Sequence, residues 1–303
     1  MATVSVFGEP LLELACQKAG AVLGPSVLGI AGDTLNTAVY LSRLGHEVSF
    51  VTAVGVDAYS DALLERLAGE GVSVKFIGRH ESRTLGLYAI RTDADGERYF
   101  VYWRDSSAAR AFFELSDACT LIESVLDSDL FYFSGISLAI LSSDGRERLL
   151  DVAGRCAGLV AFDGNYRPYG WQGVDDARHY LEAVGGVASI VMPTSEDDDA
   201  LFGSATPVEH ARRWCSYGVD TAVVKNGPDG AWLLNSSGVP LHTEVEKVIQ
   251  PVDTTGAGDS FNAGFLSARL DGESLRDAAQ AGNRLAARVI CERGALIPRS
   301  RMP

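Results

Sequence analysis

Little in this chain would tie it to a membrane, a nucleic acid or an oxidising compartment. The longest apolar run, residues 130–141, is broken by Ser134, Gly135 and Ser137 and is too short to span a bilayer. No basic cluster occurs: 26 Lys and Arg stand against 40 Asp and Glu, a formal charge of −14, which argues against a phosphate-backbone partner. The five cysteines, Cys16, Cys119, Cys156, Cys215 and Cys291, are odd in number and widely spaced. They fit neither a disulfide framework nor a zinc site, and point to a reducing compartment. Five histidines are scattered without ligand or triad spacing. Walker, Gly-x-Ser-x-Gly and Rossmann fingerprints are missing from strand-to-helix contexts. The first residues lack a basic start and a signal core, so the cytoplasm is the expected address.

What is present is a chain of 303 residues, 47% hydrophobic, able to bury a large core as one α/β domain or two smaller ones. Runs at 3–7, 11–15, 47–53, 72–76, 129–133, 159–162, 188–192, 221–224 and 231–234 read as strands. Segments at 60–70, 144–156, 257–270 and 274–291 read as helices. Another helix follows 31–38, with Val39, Leu41 and Leu44 on one face, Asp33 or Thr34 as cap and Gly45 as stop. Strands alternating with helices predict a parallel sheet. The rhythm breaks at 86–92 and 98–103, two alternating strands joined by the turn Asp93-Ala94-Asp95-Gly96. A hairpin inserted in an α/β domain is a candidate lid that keeps water from a reaction.

Polar residues gather where these elements meet. Gly256 and Gly258 stand where a loop enters a small-residue helix, exposing backbone amides to an anion, with Asp259 in the first turn. Taken alone, a Gly-x-Gly-Asp fragment is more often a plain helix start with a favourable charge. Gly32, Asp33 and Asn36 open the early helix, where capping and close packing also account for them. Tyr102 and Arg104 share one strand face and present a hydroxyl and a guanidinium together, while Trp103 reads as packing. Asp163, Asn165 and Arg167 alternate after a buried strand and line a site, with Arg167 able to grip a carboxylate bidentately. The acidic stretch 196–199 suits a helix dipole or, through Asp197, a cation. Gly227 and Gly230 fit a tight turn after Lys225.

These stretches resemble the ribokinase-like (PfkB) carbohydrate kinases across nearly the whole chain. Asp253-Thr254-Thr255-Gly256-Ala257-Gly258-Asp259-Ser260-Phe261 is similar to the family's C-terminal signature. The stretch 31–38 is similar to its sugar motif Gly-Gly-x-x-x-Asn-x-Ala, except at Ala31, and 163–167 to its Asp-x-Asn-x-Arg. The resemblance implies a single three-layer α/β/α sandwich over 1–303, with a central mostly parallel sheet and a small β lid from roughly 10–30 and 76–112. It implies Gly256, Ala257 and Gly258 as the anion hole for the transferred phosphoryl group and Asp259 as catalytic base. Gly32, Asp33 and Asn36 would meet sugar hydroxyls. ATP is the implied donor, with Asn165, Thr255, Lys225, Gly227 and Gly230 around it. Mg²⁺ would be held through water by Asp197, where many members have Asn-x-x-Glu and this chain offers Thr194 and Asp197. Glu13 stands where many members carry a substrate-binding Asp, a departure that leaves its role open.

Gly32-Asp33-Thr34-Leu35-Asn36 and Tyr102-Trp103-Arg104, followed by Ser107-Ala108-Ala109, resemble the 2-keto-3-deoxygluconate kinase branch. That implies phosphorylation of the sugar acid's 6-hydroxyl, with the carboxylate read by Tyr88, Tyr102, Arg104 and Arg167. Two other readings compete: a family member acting on another sugar, and a binding sensor that kept the fold without the chemistry. An exposed lid edge suggests a homodimer or a multiple of it.

Overall fold

The computed structural model describes residues 1–16, 23–92, 98–245 and 251–302. Nine strands form the central sheet: β1 (Thr3–Phe7), β4 (Glu47–Gly55), β5 (Ile77–His80), β8 (Leu130–Ser134), β9 (Leu159–Asp163), β10 (Ile190–Val191), β11 (Thr221–Lys225), β12 (Ala231–Asn235) and β13 (Leu241–Thr243). Their order is β13-β12-β11-β10-β9-β8-β1-β4-β5, and all neighbours are parallel except β11 with β12 and β12 with β13. A second sheet, ordered β3-β2-β6-β7, is built from β2 (Leu11–Cys16), β3 (Ser26–Ala31), β6 (Gly86–Thr92) and β7 (Arg98–Trp103). The helices are α1 (Asp33–Arg43), α2 (Ala58–Gly69), α3 (Ala118–Glu123), α4 (Gly135–Ala139), α5 (Ser143–Arg155), α6 (Val174–Val184), α7 (Ser195–Phe202), α8 (Pro207–Ser216), α9 (Ala257–Leu270) and α10 (Leu275–Val289).

Side-chain alternation on doubly covered strands sorts the core into two halves. Phe131 and Phe133 of β8 join Phe7, Phe112 and Phe162 on one face, with α3, α5, α6, α7 and α8 over them. Leu130 and Tyr132 join Val6, Phe50 and Phe265 on the other, under α1, α2, α9 and α10. The result is the expected α/β/α sandwich with a mostly parallel sheet. In β1 the order of connection reverses, since β4 lies on one side and β8 on the other. Such a reversal leaves a crevice at the carboxyl ends of the strands, where α/β proteins hold ligands.

Most elements lie within about two residues of their expected places; three expectations need correction. The predicted strand at 72–76 is instead a turn carrying one isolated parallel bridge, Ser49 to Ser73, and pairing with β4 resumes only at Ile77. Neither Asp33 nor Thr34 caps α1: Gly32 is the N-cap, with no side-chain bond, because the Asp33 carboxylate is engaged elsewhere. Trp103 does not pack into the interior; it is 58% exposed on the outer side of the small sheet. The hairpin turn Asp93-Ala94-Asp95-Gly96 and positions 17–22 of the expected lid lie outside the described residues.

Candidate active site

Strands β1, β8, β9, β10 and β11 end on one edge of the central sheet, and a cavity of about 470 Å³ opens between those ends and the small sheet. Helix α9 begins there. Its N-cap, Gly256, is left-handed at φ 76°, ψ 6°, and no side chain caps the first turn. A Cβ at Gly256 would lie 2.8 Å from that of Ala295, while one at Gly258 would meet only Lys225 Nζ, at 3.5 Å. The loop is braced from behind: Asp253 accepts hydrogen bonds from the amides of Thr255 (2.8 Å) and Gly294 (2.9 Å), and Tyr40 donates to the Ala295 carbonyl at 2.6 Å. The 293–298 segment thus supports the loop through its backbone, although Ala295 offers no side-chain contact.

Asp259 lines the cavity from the first turn of α9. Its carboxylate accepts a hydrogen bond from Asn36 Nδ2 at 2.8 Å, and its carbonyl one from Thr37 at 3.2 Å. Burial, with the nearby Asp33 and Asp163 charges, pushes the Asp259 carboxyl up to about 8 against the opposing Asn36 bond and Lys225 charge. Asp33 accepts from Ser134 Oγ (2.6 Å) and Asn165 Nδ2 (2.9 Å), and burial raises its pKa as well. Asn165 holds φ 31°, the only non-glycine positive φ among the described residues. Backbone strain of that kind concentrates at ligand sites.

Lys225 donates to Asp163 Oδ1 at 2.9 Å and to Asn262 Oδ1 at 3.1 Å, both buried contacts, and Asn262 donates on to the Tyr132 hydroxyl at 3.0 Å. Arg167 donates to Asp197 at 2.8 Å. The Arg167 pKa is raised: burial acts against the charge, but Asp197 and the neighbouring carboxylates outweigh it. From the small sheet come Tyr88, Phe100, Tyr102 and Arg104, with the Tyr88 and Tyr102 rings 5.8 Å apart.

Residues 3–301 match the model described as pfkB family carbohydrate kinase. The chain belongs to this family. Among its relatives is the 2-dehydro-3-deoxygluconokinase of Dickeya dadantii, 43% identical, with 99% of this chain and 98% of that one covered. The enzyme of the same name from Escherichia coli K12 is 40% identical over the same shares. Among solved structures, aminoimidazole riboside kinase from Salmonella enterica, complexed with aminoimidazole riboside and an ATP analog, superposes with a TM-score of 0.83 at 26% identity, covering 97% of this chain and 95% of that one.

In this PfkB chain one cavity brings together Gly32, Asp33, Asn36, Tyr88, Tyr102, Arg104, Asn165, Arg167, Asp197, Lys225, Thr255, Gly256, Ala257, Gly258 and Asp259. Gly227 and Gly230 stand outside its lining: they shape the turn between β11 and β12, where a Cβ on Gly230 would lie 2.0 Å from the Thr243 carbonyl. Glu13 also stands outside it and accepts a hydrogen bond from the Tyr88 hydroxyl. Sequence reasoning missed Asn262 and Glu9. The signal for Asn262 was its place one helical turn after Asp259; that for Glu9 was a carboxylate in the short Gly8-Glu9-Pro10 loop at the end of the first strand.

Proposed function

We propose that this protein transfers the γ-phosphoryl group of ATP to the 6-hydroxyl of 2-keto-3-deoxygluconate, giving 2-keto-3-deoxy-6-phosphogluconate. The substrate is the 2-dehydro-3-deoxygluconate of the relatives' name. One observation carries the reading: a single cavity holds both the uncapped start of α9 with Asp259 and the guanidinium groups of Arg104 and Arg167. The first set suits a phosphoryl group and a hydroxyl, the second a carboxylate that neutral sugars lack.

In the transfer Asp259 takes the hydroxyl proton, the freed oxygen bonds to the γ-phosphorus, and the bond to the bridging oxygen of ADP breaks. The Gly256, Ala257 and Gly258 amides meet the charge on the moving group, and Asn36 holds Asp259 in place. Asp33 and Asn36 orient the sugar beside Gly32, while Asn165, Lys225 and Thr255 face the donor. No group of three or more His, Cys, Asp or Glu among the described residues could cage a metal. That donor set fits Mg²⁺, which keeps its waters and takes few protein carboxylates, here Asp197. Bound with ATP, the ion neutralises phosphate charge.

The small sheet serves as the lid of a single kinase domain spanning the chain, and the protein acts in the cytoplasm. Its outer face, with Val101 and Trp103 exposed, supports a homodimer joined through the lids.

The test is ADP release with Mg-ATP and 2-keto-3-deoxygluconate, its C4 epimer, 2-ketogluconate, fructose, ribose or no sugar. Turnover confined to the keto acids is expected. Equal turnover on fructose or ribose overturns the carboxylate reading, and binding without ADP release leaves a sensor.

A further inference from the structure

Glu9 lies two residues beyond the end of β1, after Gly8, and its side chain is wholly shielded from solvent. The Arg104 side chain that it meets is 10% exposed and lines the cavity. One Glu9 oxygen accepts from Arg104 Nη2 and the other from Ser107 Oγ. Ser107 is itself fixed, its amide donating to the Arg104 carbonyl at 3.1 Å and its backbone joined to Thr84 by an isolated parallel bridge. Gly86 leaves room for the pair: a Cβ there would lie 3.0 Å from Glu9 Oε1 and 3.0 Å from Arg104 Cβ.

An ion pair buried in this way is a poor source of stability, since apolar side chains of the same volume commonly do as well or better. Burial raises the pKa of the Glu9 carboxyl against the pull of Arg104, Ser107 and Arg110, so the charge is held there at a cost. What the pair supplies is direction. A guanidinium is a rigid planar fork, and holding it at Nη2 sets where its other donors point.

We propose that Glu9 is a positioning residue for substrate selection, fixing the direction in which Arg104 presents its guanidinium to the carboxylate of a sugar acid. The inference rests on the reading of Arg104 as a carboxylate contact. Glu9 links the first strand of the central sheet to the end of β7, so the preference for acids is set from the core and not by the lid alone.

The test is a double-mutant cycle in the full-length protein with Glu9→Gln, Arg104→Gln and the pair, read as KM for 2-keto-3-deoxygluconate, KM for ATP and melting temperature. Glu9→Gln keeps the side chain's volume. It is expected to raise KM for the sugar acid about tenfold, the scale of one misdirected charged hydrogen bond, with KM for ATP within about twofold. On the Arg104→Gln background it should add nothing further. Equal rises in both KM values, or additive effects of the two substitutions, mean a general structural role and overturn the proposal. If Arg104→Gln raises the sugar-acid KM and Glu9→Gln does not, Glu9 alone loses its role. If Arg104→Gln leaves that KM unchanged, the carboxylate reading of Arg104 falls and the inference falls with it.

Discussion

A carboxylate that accepts a proton near neutral pH works best with its own pKa close by. Asp259 reaches about 8 because it is buried beside Asp33 and Asp163, and as the proposed base it would act only when ionised. The logarithm of kcat/KM should therefore rise with pH and level off above about 8; a profile flat from pH 6 to 9 contradicts the base assignment. Asp259→Asn should lower turnover at least 100-fold, at the low end of what general base catalysis supplies, while ATP binding measured by calorimetry stays within about twofold. The sign of the stability effect is fixed too. A carboxyl whose folded pKa lies above its unfolded value loses stability as pH climbs through the folded pKa. Asp259→Asn removes that loss, so the variant's melting temperature should fall less than the native protein's between pH 6 and 9. Arg167 gives a second prediction: Arg167→Leu should raise KM for the sugar acid about 10-fold or more, the scale of a charged hydrogen bond, and an unchanged KM moves the carboxylate contact to Arg104 alone.

At the scale of elements, function depends on how α9 begins. Gly256 combines a left-handed backbone with Ala295 standing where its side chain would be. Gly256→Ala should cost about 1–3 kcal/mol of stability and lower kcat more than it raises KM for the sugar acid; a variant with native kcat shows that the loop tolerates displacement. This start was legible in the sequence because Gly256, Ala257, Gly258 and Asp259 are adjacent and obey local rules. The partners of Asp33 were not: its spacing suited a cap, and the residues that hold it, Ser134 and Asn165, lie 101 and 132 residues away. No local pattern encodes such a pairing. The slip at 72–76 has a nearer cause, since the alternating stretch Val72-Ser73-Val74-Lys75-Phe76 looks the same whether it pairs or turns. Trp103 failed for a third reason: alternation says which residues share a face, not which face of a four-stranded sheet meets the core.

Across the whole molecule, the two faces of the small sheet divide two tasks. Phe100 and Tyr102 of β7 line the cavity, while Val101 and Trp103 alternate with them and stay exposed on the other side. If the protein is the proposed lid-to-lid homodimer, Trp103→Glu shifts it to monomer in sedimentation while leaving monomer folding intact; a dimer that persists places the interface elsewhere, and a native protein that sediments as a monomer overturns the dimer. The order of assembly carries another consequence. Glu9, Asp33, Tyr88, Arg104 and Arg167 all precede Asp259 in the chain, and α9 packs onto α1 only after the rest of the sheet has been made. On the proposed reading, a nascent chain on the ribosome carries the groups that would meet the sugar, and the Glu9 that aims one of them, before it possesses the base, so no turnover is expected until translation has passed α9.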